Sequence, residues 1–149
     1  MKKTNNKGFS LVELIVVIAI MAVLMVVVGP QLLKNVEKSR IQRDNSAIAE
    51  IANAVKIAVA DEEVNKAVAA SDSIEATAGK FTFNSAGDAL DKELYSTLGA
   101  EIKLTSNAYT KTGATQPKLT ITKSGLNVTI KGENLVEPKD GTTPLTITY

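Results

Sequence analysis

Residues 9–29 run apolar for about 20 positions, the length that crosses a bilayer, broken only by the hydroxyl of Ser10 and the charge of Glu13. As an α-helix rising ~1.5 Å per residue, the run spans ~30 Å, the thickness of a hydrocarbon core. Before it lies a short basic segment with Lys2, Lys3 and Lys7 and no acid. Positive charge flanking an apolar span favours the cytoplasm, so the N-terminus is expected inside and the remainder outside. An ordinary secretory signal has a shorter apolar stretch, followed by a small-residue cleavage site. Here Gly29-Pro30 leads straight into more helix-forming sequence. A generic signal anchor fits the run but leaves Glu13 unexplained.

A carboxylate in such a helix costs ~2.5–3.5 kcal/mol near the bilayer centre, and less near the cytoplasmic end, where it can snorkel. Residues 9–29 contain no Lys or Arg to pair with it. Its partner is therefore expected from the chain terminus, a lipid head group or another subunit.

The string Lys7-Gly8-Phe9-Ser10-Leu11-Val12-Glu13-Leu14 resembles the class III signal of type IV prepilins and pseudopilins. The resemblance implies that a membrane prepilin peptidase cuts between Gly8 and Phe9 and methylates the new amine of Phe9. It gives Phe9 and Glu13 a role in assembly and makes Gly29-Pro30 the helix kink. The implied division is a leader at 1–8, a transmembrane and filament-core segment at 9–29, and an extracytoplasmic domain at 30–149. The implied partners are other copies in a helical homopolymer, the peptidase/methyltransferase, the pilus assembly platform with its ATPase, and the lipid bilayer before assembly. The resemblance covers residues 1–60 closely and the rest only in architecture. One departure is that no helix-breaking Gly lies within residues 9–28, where Ala19 and Ala22 are the small residues.

Two functions fit that resemblance. One is a structural subunit of a type IV pilus, held in the cell membrane and then exported into a surface filament for adhesion, surface motility or aggregation. The alternative is a pseudopilin of a type II secretion or DNA-uptake system. The calcium loop usual in the major secretion pseudopilin has no match here, and the Cys pair of the competence type is missing. The absence of Cys also departs from the disulfide-bounded loop of many Gram-negative pilins and points to a Gram-positive source. A third reading, a signal-anchored binding protein that never polymerises, is opposed by Glu13 and Gly8-Phe9.

Beyond Pro30 the apolar residues Ile41, Ile48, Ile51, Val55 and Val59 recur at helical spacing, forming one stripe. Lys34, Glu37, Lys38, Arg40, Arg43, Asp44 and Glu50 are expected on the polar surface. The helix is expected over residues 9–60, with an extension to 70. Residues 67–79, rich in Ala, Ser and Thr, read as a loop, and residues 80–83 as a short strand. Residues 88–98, closed by Gly99, read as a helix with Leu90, Leu94 and Leu98 on one face. Alternation in 119–122, 128–131 and 145–149 gives an antiparallel meander with a turn at Ser124-Gly125. The fold class is α+β: a long N-terminal helix, transmembrane in its first half and amphipathic in its second, on an antiparallel sheet of three to four strands, the pilin fold. Ile48, Ile51, Val55, Leu119, Ile121, Val128, Ile130, Leu145 and Ile147 are the expected core.

The 149 residues suffice for one domain with a modest core. Formal net charge is +1, so no global field attracts nucleic acid. There is no Cys and no His, which removes thiol chemistry and the commonest general base and metal ligand. No catalytic set, metal site or cofactor is expected, and the chain is not read as an enzyme. The cluster Asp61-Glu62-Glu63 reads as a solvated helix end, since calcium-loop spacing is missing. Asp88, Asp91 and Asp140 read as helix-start or turn residues, and the sequon Asn127-Val128-Thr129 as a chance match.

The first testable consequence is processing. Intact mass spectrometry of membrane material is expected to show a chain beginning at Phe9 and carrying one methyl group. Gly8→Val is expected to leave uncut precursor, and a mature chain starting beyond Pro30 would refute the reading.

Overall fold

The computed structural model describes residues 9–124, 127–139 and 141–149. Lys2, Lys3, Lys7 and Gly8 of the leader, Gly125 of the expected turn and Asp140 lie outside the described residues. The chain separates into two units, one ending at Val36 and one formed by Glu37–Tyr149. Helix α1 (Leu11–Ala58) contributes to both.

In the first unit every side chain from residue 9 to 28 is exposed. The helix starts two residues after Phe9 and does not stop at Pro30. Proline withholds one backbone donor, a loss that a long helix tolerates. Gly29 beside it has open space where a Cβ would stand. Helical continuity through Gly29-Pro30, expected from the sequence, is what the chain adopts.

The second unit has its own core. Ile48, Ile51 and Val55 of α1 are fully buried in one cluster with Leu119, Ile121, Ile130 and Leu135. The stripe read from spacing is thus the packed face, and Ile41 and Val59 are also buried. α1 ends at Ala58 rather than residue 60, where the Asp61 N–H donates to the Ala58 carbonyl at 3.1 Å. The expected extension is a separate helix, α2 (Glu62–Ala67). Asp61 caps it by accepting from the Glu63 and Val64 N–H groups at 2.8 and 3.4 Å, which makes the acidic trio a helix start.

Residues 67–79 are not all loop: β1 (Ser71–Glu75) lies within them. Its Ser-Asp-Ser-Ile-Glu composition hides a strand because only Ile74 supplies a large apolar side chain. β1 is an edge strand, and edge strands tolerate charge. β2 (Lys80–Thr82) follows, then α3 (Ala89–Leu98), started by Asp88 and ended by Gly99 at φ 87° as the sequence suggested. β3 (Glu101–Lys103) and the single turn α4 (Asn107–Thr110) were not anticipated. β4 (Lys118–Ser124), β5 (Asn127–Val136) and β6 (Pro144–Thr148) complete the chain.

The main sheet is antiparallel, ordered β1-β4-β5-β6, and β2 pairs with β3 separately. Ile121 stands opposite Ile130, Leu119 opposite Gly132, and Gly132 opposite Ile147. Period-2 alternation puts these on the helix side and Thr120, Thr122 and Thr129 on the other. Val128, Leu145 and Ile147, expected in the core, are half-buried and pack against it. The first ends a hairpin, and the others belong to edge strand β6. Leu135, overlooked in the sequence, is fully buried after a register shift in β5. Gly132 permits this: a Cβ there would stand 2.9 Å from Leu135 Cδ1 and 3.1 Å from the Tyr149 ring.

Asp44 corrects a further expectation. It is not on the polar surface but only 2% exposed. Its carboxylate accepts from the Thr105 N–H at 2.9 Å, the Thr105 hydroxyl at 3.1 Å and the Ser106 N–H at 2.7 Å. Glu37, two turns earlier, accepts from the Asn107 N–H. Three successive amides leading into α4 therefore donate to carboxylates of α1. Arg43 donates to the Thr105 hydroxyl, and Arg40 lies 3.7 Å from Glu37. Beside this clamp the Tyr109 hydroxyl donates to Asn45 Oδ1 at 2.7 Å and accepts from the Val136 N–H at 3.0 Å.

Two predictions come from this unit. Residues 37–149 expressed alone are expected to be soluble and monomeric, with helix and strand in circular dichroism. Asp44→Ala should destabilise that fragment by about 3 kcal/mol in urea unfolding, since two amides lose their acceptor. A change below ~0.5 kcal/mol, the range of ordinary surface substitutions, would show the clamp to be idle. The second concerns alkali. Burial pushes the Tyr109 phenol up to about 12, against the opposing hydrogen bond from Val136. A raised folded pKa favours the protonated form in the fold. Its stabilisation is complete below the unfolded value of roughly 10 and disappears as pH rises towards 12. Tyr109→Phe should lose some stability at neutral pH and flatten the decline between those two values.

Candidate functional site

The site anticipated around the processed N-terminus begins with Phe9, which is 91% exposed. Ser10 precedes the first helical residue, Leu11, and its carbonyl accepts the first helical bond, from the Leu14 N–H at 3.2 Å. Glu13 stands at the third helical position. Its Oε2 accepts from the Ser10 N–H at 2.9 Å. The string Ser10-Leu11-Val12-Glu13 thus has the spacing of a capping box, in which a third-position Glu reaches back to the cap residue's amide.

The sequence, with no Lys or Arg in residues 9–29, places the partner of Glu13 at the chain terminus, a lipid head group or another subunit. A partner also exists in the backbone: an orphan N–H of the helix start, with the positive end of the macrodipole behind it. The S-x-x-E spacing was visible in the sequence and would have disclosed it. Among the described residues that one amide is its partner, which fills only part of a carboxylate's acceptor capacity. The side chain lines a shallow groove otherwise made by Phe9, Val12, Val16 and Val17. A carboxyl acceptor is therefore presented among apolar side chains, four residues from the position where processing would place an amine.

The other anticipated residues fall elsewhere. Gly29 and Pro30 lie within α1, sixteen and seventeen residues beyond Glu13. Ile48, Ile51, Val55, Leu119, Ile121 and Ile130 serve the core of the second unit, not a surface site. The apolar part of α1 near the N-terminus is long and apolar enough to cross a membrane, and none of that stretch is buried within the chain.

The family described as the prokaryotic N-terminal methylation motif matches residues 3–29. The chain carries a type IV pilin-like class III signal. The motif indicates a type IV pilin-like or pseudopilin protein, a class of structural subunits processed by prepilin peptidase and assembled in type IV pilus-like systems. Signal and apolar helix together support membrane insertion. The α+β architecture, with its long helix packed on a four-stranded antiparallel sheet, is consistent with the pilin fold. No curated protein and no solved structure matches the chain, and the motif does not bear on a Gram-positive source.

Proposed function

We propose that this chain is a structural subunit of a type IV pilus filament, polymerising through α1. The observation that carries the proposal is the uncovered apolar helix with one carboxylate at its third position. An apolar helix alone would serve as an anchor. A carboxylate presented in an apolar groove, four residues from a future amine, adds a reason for copies to dock in register.

In this reading residues 1–8 are removed, with Lys2, Lys3 and Lys7 holding the cut site at Gly8-Phe9 on the cytoplasmic face. Residues 9–29 lie first in the membrane and later in the filament core, and residues 30–149 form the extracytoplasmic domain. Gly29-Pro30 marks the junction. The assembly platform and its ATPase supply the work of extraction, and the finished filament serves adhesion, surface motility or aggregation. The Phe9 amine of an incoming subunit meets Glu13 of its neighbour. At an effective dielectric near 20, their attraction is about fourfold that in bulk water, and methylation leaves the amine charged.

Two substitutions separate the charge from the cap. Glu13→Gln keeps an acceptor for the Ser10 amide but carries no charge, whereas Glu13→Ala loses both. Both variants are expected to be inserted and cleaved at near-normal levels, yet to give few or no filaments in electron micrographs. Co-expressed wild type should rescue them in part. Normal filaments from Glu13→Ala would refute docking, and normal filaments from Glu13→Gln alone would reduce the residue's role to capping.

A further inference from the structure

The main sheet has two edges, and they are finished differently. At β1 the Lys123 N–H donates to the Ala70 carbonyl and the Ala76 N–H to the Pro117 carbonyl. Alternation therefore turns the backbone groups of Ser71, Ser73 and Glu75 away from β4. The middle one of these amides, the Ser73 N–H, is held by the Asp72 carboxylate at 2.7 Å, and Asp72 and Glu75 put charge on the strand. Charge and blocked amides keep an edge from recruiting another strand. β6 has neither. Residues 144–149 contain no Asp, Glu, Lys or Arg. The Tyr149 N–H donates to the Ile130 carbonyl at 2.8 Å. Alternation thus turns Ile147 and Tyr149 towards β5, and the backbone groups of Thr146 and Thr148 out of the sheet. Those groups have no partner among the described residues. Leu145 and Ile147 are only half-buried, and the Tyr149 hydroxyl is shielded without a partner.

We propose that β6 pairs with β6 of a second copy, antiparallel and about a two-fold axis through Ile147. In that register the strand is its own complement. Thr146 of one copy stands opposite Thr148 of the other, and their outward amides and carbonyls make about four backbone hydrogen bonds. On the inner face Ile147 meets Ile147 and Leu145 meets Tyr149, so half-buried apolar side chains complete one another's cover. Pro144, which has no N–H to offer, ends the pairing at either side. An edge this short covers less than the roughly 1,200–2,000 Å² of a stable complex, so the contact holds where it is repeated. The filament reading supplies that repetition; this setting rests on it, whereas the pairing does not. The two-fold stands normal to the joined sheet. It reverses every direction within the sheet, including that of the part of α1 packed on its face. Copies within one polar filament share a direction, so the pairing joins two filaments that run antiparallel.

The absence of Cys permits disulfide trapping in the full chain, solubilised in detergent. Ile147→Cys lies on the axis and meets its own copy at a Cα separation of ~4.5 Å, within the range that a disulfide spans. Leu145→Cys faces Tyr149 instead, and Thr122→Cys, exposed on β4, reports random collision. Ile147→Cys should form disulfide-linked dimer at least about tenfold faster than either, because pairing raises the local concentration at that position alone. A charge series uses the exposed Thr146 and Thr148. Thr146→Lys with Thr148→Lys sets like charges opposite each other and should abolish the trapping. Thr146→Lys with Thr148→Glu sets opposite charges there and should restore it. In electron micrographs, wild-type filaments should lie side by side, filaments with both lysines singly, and filaments with the lysine–glutamate pair side by side again. Equal trapping at Ile147, Leu145 and Thr122, trapping unaffected by the two lysines, or wild-type filaments that stay single would overturn the proposal. Chain that traps at Ile147 but forms no filaments would overturn the filament reading and keep the pairing.

Discussion

Helix α1 must satisfy two solvents with one backbone. Its first unit offers hydrocarbon to every direction, and its second offers hydrocarbon to one face and water to the rest. In a bilayer the helical ladder is what makes such a stretch tolerable, because each peptide group is paired within the segment. Pro30 removes a donor where the two regimes meet, yet the ladder continues. Everything that follows α1 has one physical task in common: to cover the stripe that begins at Ile41 and leave the remaining faces wet. The sheet does so with the inward residues of β4 and β5, Leu119, Ile121 and Ile130, while Thr122 on its other side is exposed.

What the sequence disclosed and what it hid follow from the range of the interactions involved. The apolar run, the stripe from Ile41 to Val59, the α3 caps Asp88 and Gly99, and the alternating strands are all local patterns. Periodicity of 3.6 or 2 exposes them directly. The hidden features are settled at a distance. Asp44 sits among charged neighbours and looks like surface, and only the arrival of Thr105 and Ser106, some sixty residues later, takes it out of water. β1 reads as loop because its strand character comes from pairing with β4, fifty residues downstream. Leu135 escapes the alternation because the register of β5 shifts before it. At the N-terminus the reverse holds. The Ser10–Glu13 bond is wholly local, and its S-x-x-E spacing is legible in the sequence as a capping box.

The buried Asp44 also bears on why the second unit has a unique arrangement. An apolar stripe against an apolar sheet face is tolerant of sliding, since hydrophobic burial has no direction. A carboxylate that accepts from two adjacent amides and a hydroxyl has direction and cannot slide without stranding a charge. Removing its partners would leave that charge uncompensated at a cost of several kcal/mol, so the clamp works chiefly against wrong registers. Asn45 and Tyr109 extend the same restraint to Val136 at the end of β5. One polar seam thus ties α1 to both the α4 segment and the sheet.

The same logic applies to Glu13, with a different outcome. At Asp44 the acceptor capacity is filled within the chain, so the residue is structural and its surroundings are closed. At Glu13 a single amide is bonded among the described residues, and the groove is open to the outside. A satisfied carboxylate gains little from a new partner, whereas an under-satisfied one in apolar surroundings gains much. On the proposed filament reading, the capping bond would keep the helix start intact in the membrane and leave lone pairs for a neighbour's amine. Docking then need not break the cap, because a carboxylate's two oxygens can serve an amide and an ammonium at once.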